Sequence, residues 1–519
     1  MIRLESYVSG RWTSGAGRAT TLVNPATEEA IAETSSEGLD FGAALDHART
    51  SGASLRSLSF AERASLLKAM AKTLHANREE LLDLAQKNGG NTRGDAKFDV
   101  DGAIGTLSAY AVTGEQLAAR MGDRRFLLDG DFIQLARNPR FVGQHVYTTR
   151  PGVAVHINAF NFPAWGTYEK IAVSFLAGVP VITKPATATA LVTWRTVQLL
   201  VESGSLPEGA LQLICGSTGD LLSRLQPQDH LAFTGSNATG SALRGTPGFA
   251  SKGVRVTVEA DSLNAAVCGP DVEVGGDLWS TMLRNVVQDM TQKTGQKCTA
   301  VRRVFLPHSH VAEFEEALLD ALTGVVVGDP TTDGVTMGPV STASQLRDAR
   351  SGIAALAEGN RVAVGGAQPI DGRNAPAGKG YYVRPTVIVG ANDHTHDLEV
   401  FGPCVSLVAY DGSAAGAAAG IGRGQGSLVS SFYADDRAWI GEVVAGAAPW
   451  LGRMLVCGSK VADMATPPGM VLPSMVHGGP GRAGGGEELG GERGLLFYMQ
   501  RTAVAGDRVA LGKVFGTGE

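Results

Sequence analysis

The sequence has no excess of positive charge and no long apolar run, and each deficit excludes a class of protein. It carries 45 Lys and Arg against 51 Asp and Glu, a net charge of −6. Because nucleic-acid-binding proteins present a basic surface, we expect no nucleic-acid partner. The longest apolar stretch, residues 171–182, contains Gly178 and Pro180. It is shorter than the roughly 20 residues that cross a bilayer, so we expect no membrane partner.

Cysteine is also scarce, and the amino terminus lacks the apolar core of a signal peptide. The chain has five cysteines, an odd number scattered over 519 residues. Such a pattern is typical of reduced thiols in a cytoplasmic protein, not of a disulfide framework. The first residues, MIRLESYVSGRW, alternate polar and apolar side chains. We therefore predict a cytoplasmic location.

The length and the apolar pattern predict an α/β protein of more than one domain. The first 120 residues look helical, with a Ser59–Glu62 capping box. After Arg150, β-type runs alternate with helical stretches, which indicates a doubly wound parallel sheet with a nucleotide site at the strand ends. The predicted strands are residues 153–157, 179–183, 211–214, 230–233 and 254–258.

The predicted domain boundaries follow from that change of pattern. Residues 1–130 and 150–261 form the dinucleotide-binding domain, and residues 262–478 form a second, catalytic α/β domain. Residues 131–149 alternate like a hairpin and interrupt the first domain.

Cys298 is the candidate nucleophile. It lies in the segment GQKCTA beside Lys297, and a nearby cation lowers the pKa of a thiol towards its reactive thiolate form. The alternative is an inert buried thiol. That alternative is the preferred interpretation of the other four cysteines, which have small or apolar neighbours: Cys215, Cys268, Cys404 and Cys457.

Two polar residues at the ends of predicted strands complete a reaction centre. Glu259 ends the run 254–258, where a raised pKa would suit a general base for water. Asn161 lies in a turn between a strand and a helix, where its amide can donate to an oxyanion. A surface glutamate and a helix-capping asparagine are the respective alternatives.

Three further segments resemble parts of a nucleotide site. Gly235, Ser236 and Gly240 lie where a strand turns into a helix, a favourable place for phosphate. Lys184 ends another strand, where its amine could reach ribose or phosphate. Downstream, Glu399 and Phe401 pair a carboxylate with an aromatic ring, suited to a ribose and a nicotinamide. The alternatives are that Lys184 is a solvated surface lysine and that Phe401 is a core residue.

Together, these segments resemble the aldehyde dehydrogenase superfamily over nearly the whole chain, from SGRW at residues 9–12 to YMQR at residues 498–501. The resemblance implies that fold, with a small β oligomerisation element at residues 131–149 and 492–512. It also implies a Cys298 thiohemiacetal and thioester, an Asn161 oxyanion site, hydrolysis through Glu259, and proton relay or positioning by Lys170. We expect no metal and a homodimer.

One departure from the family pattern bears on the cofactor. NAD-preferring relatives usually carry a glutamate three residues after the cofactor lysine, and Thr187 stands there. Without that carboxylate, a 2′-phosphate meets no repulsion, and the hydroxyl can donate to it. We therefore predict NADP as the cofactor, with NAD as the weaker alternative.

Other departures bear on the substrate. Phe160, Trp165 and Gly166 are predicted to line the substrate funnel, and glycine at 166 predicts a wide one. The base region, EADSLN, and the glycine-rich tail resemble the branch that oxidises coenzyme A-linked aldehydes in aromatic degradation. The expected substrate is a CoA-linked semialdehyde, with 3,4-dehydroadipyl-CoA semialdehyde as the best candidate.

Three alternatives remain open at this point. The enzyme could oxidise a free semialdehyde, or it could pass the acyl group to coenzyme A instead of water. The chain could also be a catalytically silent protein on the same fold. Glu259 argues against acylation, and the presence of Cys298 and Asn161 argues against silence.

Overall fold

The computed structural model describes residues 1–516, which form two seven-stranded sheets flanked by helices, two three-stranded sheets and a two-stranded sheet. The α/β class predicted from the sequence is confirmed.

The amino-terminal region combines short strands with long helices, so the expectation of a helical start was wrong for the first 34 residues. These strands are too short to give a clear alternating pattern, and their partners are distant in sequence. The strands are β1 Ile2–Leu4, β2 Ser6–Val8, β3 Arg11–Thr13, β4 Thr20–Val23 and β5 Ala30–Thr34. The helices are α1 Phe41–Thr50, α2 Ser54–Ser57, α3 Phe60–Ala76, α4 Arg78–Gly89 and α5 Arg93–Met121.

Local helix signals in this region are confirmed. Ser59 and Glu62 form the capping box at the start of α3. Gly90 ends α4 in the left-handed conformation, with φ of 69°, which residues other than glycine rarely adopt. A second capping box, Thr92 with Asp95, begins α5.

The first large sheet has the strand order β12-β11-β8-β9-β10-β2-β3. Its first five strands run parallel, and β2 and β3 extend it antiparallel. All five parallel strands were predicted to within two residues at each end. After the hairpin β6 Phe126–Gln134 and β7 Phe141–Thr149, this part of the chain contains β8 Ala154–Ile157, α6 Trp165–Ala177, β9 Val181–Lys184, α7 Ala190–Glu202, β10 Leu211–Leu213, β11 His230–Thr234, α8 Asn237–Arg244, α9 Pro247–Lys252 and β12 Arg255–Glu259.

The second large sheet has the order β15-β16-β17-β14-β13-β18-β19, parallel except for its edge strand β15. Its elements are β13 Ala265–Cys268, α10 Asp277–Thr291, β14 Arg303–Pro307, α11 Val311–Leu322, α12 Ala343–Ala357, β15 Arg361–Val364, β16 Thr386–Val389, β17 Cys404–Tyr410, α13 Ala414–Gly422, β18 Ser427–Tyr433, α14 Arg437–Ala447 and β19 Leu451–Cys457.

The carboxyl-terminal segment returns to the first half of the chain. Its last strand pairs with β7, so the hairpin and the tail form one three-stranded sheet. The hairpin begins at Phe126, five residues before the predicted start, because Leu127 already packs into the core. The elements are β20 Val476–Gly478, β21 Glu487–Leu489, α15 Glu492–Tyr498, β22 Met499–Asp507 and α16 Arg508–Phe515.

The largest hydrophobic core holds α6 between α5 and the first sheet. Leu107 and Tyr110 of α5 and Ile171 and Phe175 of α6 are fully buried in it. Close packing on this scale makes α6 a rigid support for the side chains at its amino-terminal end.

Within residues 1–516, no helix is both long enough and apolar enough to cross a membrane.

Candidate active site

Cys298 follows α10 through a loop with an unusual backbone. Lys293 and Thr294 both adopt the left-handed conformation, with φ of 52° and 57°, and Gly295 continues it at 69°. A Cβ atom on Gly295 would lie 2.2 Å from the carbonyl oxygen of Gly402, so only glycine fits there. Left-handed non-glycine residues are strained and persist only where the surroundings hold them.

Buried acids of α5 provide that restraint. The Asp95 carboxylate accepts a hydrogen bond from the backbone N–H of Lys293 at 2.9 Å, and the Lys293 amine donates to Asn91 at 3.2 Å. One turn later, the Asp99 carboxylate accepts from the backbone N–H groups of Ala164 at 3.2 Å and Trp165 at 2.7 Å. Helix α5 therefore holds both the loop before Cys298 and the turn after Asn161.

Asn161 lies in that turn and meets the Cys298 loop directly. Its side-chain amide donates to the backbone oxygen of Gln296 at 3.0 Å. An amide nitrogen carries two N–H groups, so the second remains for an oxyanion that forms next to Cys298. Both residues line the same cavity.

Cys298 is half-buried, whereas the other four cysteines are buried and none forms a disulfide. Its sulfur lies 4.0 Å from Nε2 of His477. Burial raises the pKa of the Cys298 thiol well above its ordinary value, and the charge and hydrogen bond of Glu259 raise it further.

Lys297 does not have the role expected from the sequence. Its amine forms a buried ion pair with Asp289 of α10 at 2.7 Å and also donates to Gln292 at 3.0 Å. Because the Lys297 amine is paired with Asp289 and Gln292, the expectation that it activates the neighbouring thiol was wrong.

Glu259 ends β12, as predicted, and is 2% exposed. Its Oε2 lies 3.3 Å from Nε2 of His477, and its Oε1 has no hydrogen-bond partner among residues 1–516. Burial raises the pKa of this carboxyl, but His477 and Lys170 lower it more, so the net pKa lies below its ordinary value. The expectation that the pKa of Glu259 is raised was wrong, because the sequence does not show that His477 and Lys170 lie beside this carboxyl.

Lys170 is buried in α6 between two acids. Its amine lies 3.1 Å from Glu169 and 3.1 Å from Glu488 of β21. Carboxylate oxygens of Glu169, Glu259 and Glu488 lie within 4.8 Å of one another. Burial raises the pKa of both Glu169 and Glu488, although Lys170 opposes the shift. The three carboxyls lie close enough together to offer a proton a route away from Glu259.

A cavity of about 460 Å³ lies on one side of Cys298. Gly166 lines it, and a Cβ atom there would meet only ordinary contacts, 3.8 Å from Phe162 and 4.0 Å from Glu169. Trp165 also lines it, with its indole N–H bound to Thr106. The rings of Phe98, Phe162 and Trp165 pack edge to face around it, which makes the cavity narrower than glycine at 166 predicts.

A larger cleft of about 1130 Å³ reaches Cys298 from the opposite side. It runs along the carboxyl ends of β8, β9, β11 and β12, the edge at which doubly wound sheets bind nucleotides. Lys184, Gly235, Ser236, Glu399 and Phe401 line it, and Glu259 and Cys298 face both it and the smaller cavity.

A model of the aldehyde dehydrogenase family matches residues 12–504. The chain belongs to the aldehyde dehydrogenase family. It is 42% identical over 484 residues, 92% of this chain and 93% of the relative, to the 3,4-dehydroadipyl-CoA semialdehyde dehydrogenase of Aromatoleum evansii. It is 28% identical over 417 residues, 78% of this chain and 80% of the relative, to the alpha-ketoglutaric semialdehyde dehydrogenase of Bacillus subtilis strain 168.

Solved structures agree on the fold. The structure of a 3,6-anhydro-L-galactose dehydrogenase superposes with a TM-score of 0.84 at 21% identity, covering 97% of this chain and 99% of that chain. The predicted aldehyde dehydrogenase fold is thereby confirmed.

Of the residues expected at the cofactor, some line the larger cleft and others only support its walls. Glu399 accepts from the backbone N–H of Ser262 at 2.9 Å and pairs with Arg302 at 3.3 Å, and burial raises its pKa to about 7 despite Arg302. Gly240 does not line the cleft. A Cβ atom there would lie 2.6 Å from Val258, so its role is to let α8 pack on β12, not to approach a phosphate.

Two other expectations need correction or extension. Phe160 packs against Phe401 and lines the larger cleft, not the smaller cavity as expected. The reason is that the turn points Phe160 and Phe162 to opposite sides. Thr187 begins the short helical turn after β9 but is not among the residues that line the cleft; its hydroxyl donates to Gly216 at 3.3 Å.

Sequence reasoning missed His477, Glu488 and Lys293. His477 and Glu488 lie in the glycine-rich tail, about 180 residues after Cys298, and no local pattern marks either as part of a site. Acidic and histidine side chains within an otherwise small-residue segment are the only signal that could have drawn attention to them.

Glu259, Cys298 and His477 offer donor atoms within 4.8 Å of one another. A zinc site would need a thiolate and a neutral imidazole, whereas the surroundings raise the pKa of both the Cys298 thiol and His477. That the site holds no metal stays a prediction from the sequence.

The contacts of Asp99 predict a loss of activity without a loss of fold. Asp99→Asn weakens the two hydrogen bonds that hold the Asn161 turn, and a displacement near 1 Å at a reaction centre costs on the order of 100-fold in rate. We expect turnover in a steady-state assay to fall about 10- to 100-fold. Asp101→Asn is the matched control, because Asp101 lies on the same helix but pairs with Arg78 at the surface. Equal effects of the two changes would contradict this role of Asp99.

The space beside Gly166 predicts a change in substrate range. Gly166→Leu fills the cavity without a backbone clash, so the KM for a six-carbon aldehyde should rise at least about tenfold while that for acetaldehyde changes less than about threefold. Gly166→Ala is the control and should leave both values nearly unchanged. Equal losses for both aldehydes with Gly166→Leu would show that the cavity does not select by length.

Proposed function

We propose that this enzyme oxidises a CoA-linked semialdehyde, with 3,4-dehydroadipyl-CoA semialdehyde as the best candidate, to the carboxylic acid with NADP. The observation that carries the proposal is the placement of Cys298, Asn161 and Glu259 around one point, between an aldehyde-sized cavity and a nucleotide-type cleft. The 42% identical relative, named for that substrate, supports the substrate assignment.

The first step of the proposed mechanism forms a bond to sulfur. The Cys298 thiolate attacks the aldehyde carbon, and the former carbonyl oxygen takes the negative charge as a thiohemiacetal anion. The second N–H of the Asn161 amide stabilises that oxyanion. A nicotinamide held in the larger cleft would supply the hydride acceptor for this step, which would leave the acyl group on Cys298 as a thioester.

The second step releases the acid. Oε1 of Glu259 has no protein partner among the described residues, so it is available to take a proton from a water molecule. That water attacks the thioester, the C–S bond breaks, and the thiolate leaves. The proton can pass from Glu259 to Glu169 or Glu488, whose carboxylates lie within 4.8 Å.

The residues of the larger cleft fit a dinucleotide. Its lining brings together the positive end of α8 with Ser236 as the helix cap, the Lys184 amine, the Glu399 carboxylate and the Phe401 ring. The helix end suits a phosphate, and Lys184 suits a phosphate or a ribose. Glu399 suits a ribose, and the Phe401 ring suits a nicotinamide face. Structures with this fold are described with NAP and with NAD+, so the preference for NADP rests on Thr187 of this chain.

The size of the smaller cavity determines how a CoA thioester would bind. Drug-sized pockets enclose about 300–1,000 Å³, whereas this cavity leaves only about 30 Å³ for the centre of a water-sized sphere. We infer that only the semialdehyde arm would enter it, and that the coenzyme A moiety would lie outside, near the mouth of the cavity.

We also propose that the chain assembles as a homodimer through the three-stranded sheet of β6, β7 and β22. Ile133, Leu135 and Phe141 of its hairpin are 51%, 47% and 46% exposed. Large apolar side chains clustered at a surface are typical of an interface. The proposed division into dinucleotide-binding, catalytic and oligomerisation parts follows the first large sheet, the second large sheet and the sheet of β6, β7 and β22.

A substrate panel tests the proposed function. Purified enzyme is assayed with matched CoA-linked and free six-carbon semialdehydes and NADP, and the product is identified by mass spectrometry. We expect at least about tenfold higher kcat/KM for the CoA-linked aldehyde, a difference of about 1.4 kcal/mol in transition-state stabilisation, and a free carboxylate at the former aldehyde carbon. Equal values would support the free semialdehyde. A new thioester formed when free coenzyme A is added would support an acylating enzyme.

Thr187 generates a separate prediction for the cofactor. Thr187→Glu places a carboxylate near the expected 2′-phosphate, and such like-charge contacts cost several kcal/mol, so the KM for NADP should rise at least about tenfold. The KM for NAD should not rise. Thr187→Gln, which has the same size and no charge, is the control. If the wild-type enzyme reduces NAD but not NADP, the proposed cofactor is wrong.

A further inference from the structure

The site contains one cation that contacts both reacting groups. Nε2 of His477 lies 3.3 Å from Oε2 of Glu259 and 4.0 Å from the sulfur of Cys298. A small rotation of the imidazole would let the same N–H donate to either the carboxylate or the sulfur. The other nearby cations are engaged elsewhere: Lys297 with Asp289, and Lys170 with Glu169 and Glu488.

We propose that His477 is the charge partner of Cys298 and Glu259, which holds the carboxylate next to the thiol and compensates the negative charge of the thiolate when it forms. The inference deepens the proposed function, because it assumes that Cys298 reacts as a thiolate.

The need for such a partner follows from the surrounding charges. Glu259, Glu169 and Glu399 all disfavour a thiolate at Cys298, and burial disfavours it most. The opposing groups are His477 on β20, Lys170 on α6 and Arg453 on β19, and Arg453 binds the backbone oxygens of Pro468 and Met470. His477 is the member of this group within hydrogen-bond distance of the sulfur.

The charge on His477 is consistent with this role. Burial lowers the pKa of the imidazole, but Glu259, Glu169 and Glu488 raise it more, so the net pKa lies above its ordinary value. His477 therefore keeps its proton to a higher pH than an ordinary histidine does. The same contact keeps the pKa of Glu259 low.

The proton balance is simple. When Cys298 ionises, its S–H bond breaks, the electron pair stays on sulfur, and the proton bonds to Glu259. Before ionisation the imidazolium pairs with the Glu259 carboxylate, and afterwards it pairs with the thiolate. One positive charge thus contacts one negative charge in both states. Glu259 then releases the proton to water through the neighbouring carboxyls and is again a base for hydrolysis.

The test measures thiol ionisation directly and needs neither aldehyde nor cofactor. The rate of Cys298 alkylation by iodoacetamide is followed from pH 6 to 10, with the modified peptide identified by mass spectrometry. In His477→Gln we expect the midpoint of the rate profile to move up by at least about one pH unit, since loss of a cation raises the pKa of a thiol. Alkylation at pH 7.5 should then be about tenfold slower.

Two further variants separate charge from structure. His477→Lys retains a cation and should keep more than half of the wild-type rate at pH 7.5. His310→Gln changes a half-buried histidine, bound to Val272 on another part of the chain, and should leave the profile unchanged. If His477→Gln gives the wild-type profile, or if His477→Lys is as slow as His477→Gln, the proposed role is wrong. Failure of the substrate panel would leave this result unaffected.

Discussion

The arrangement of the site depends on the buried acids of one helix. Asp95 and Asp99, one turn apart on α5, bind backbone N–H groups of two different segments: the loop before Cys298 and the turn after Asn161. Backbone groups have fixed positions, so these hydrogen bonds set the separation of the thiol and the amide more firmly than side-chain contacts could. The Lys293 amine offsets the negative charges of these two buried acids. This favourable contact helps to hold Lys293 in its strained left-handed conformation before Cys298.

Around this frame, the site concentrates acids. Glu169, Glu259 and Glu399 oppose the ionisation of the Cys298 thiol. Glu488 lies beside Glu169 and Glu259 and raises the pKa of Glu169. Isolated buried carboxylates are costly, and each of these has a cationic partner or, for Glu259, a histidine. As a consequence, Cys298, Glu259 and His477 titrate together, and a change in the protonation of one residue shifts the pKa of the other two.

Much of this could be predicted from local sequence. Short patterns predict the parallel strands at the nucleotide edge, the helix caps at Ser59 and Gly90, and the place of Glu259 at a strand end. Short motifs also mark Cys298 and Asn161. The orientation of side chains did not follow. Lys297 is adjacent to Cys298 in sequence, yet it pairs with Asp289, and Phe160 lies in the opposite pocket from its neighbour Phe162.

The sequence by itself determined the α/β fold class, the family, and which residues could react, because periodicity and short motifs act over a few neighbouring positions. Only the tertiary structure decided which charges meet. His477 and Glu488 reach Glu259 and Lys170 because the glycine-rich tail crosses back over the first sheet, where Gly484 and Gly486 pack against the backbone of Val258. Electrostatic effects depend on distances in space, and the pKa of Glu259 is low because of residues more than 80 and 200 positions away.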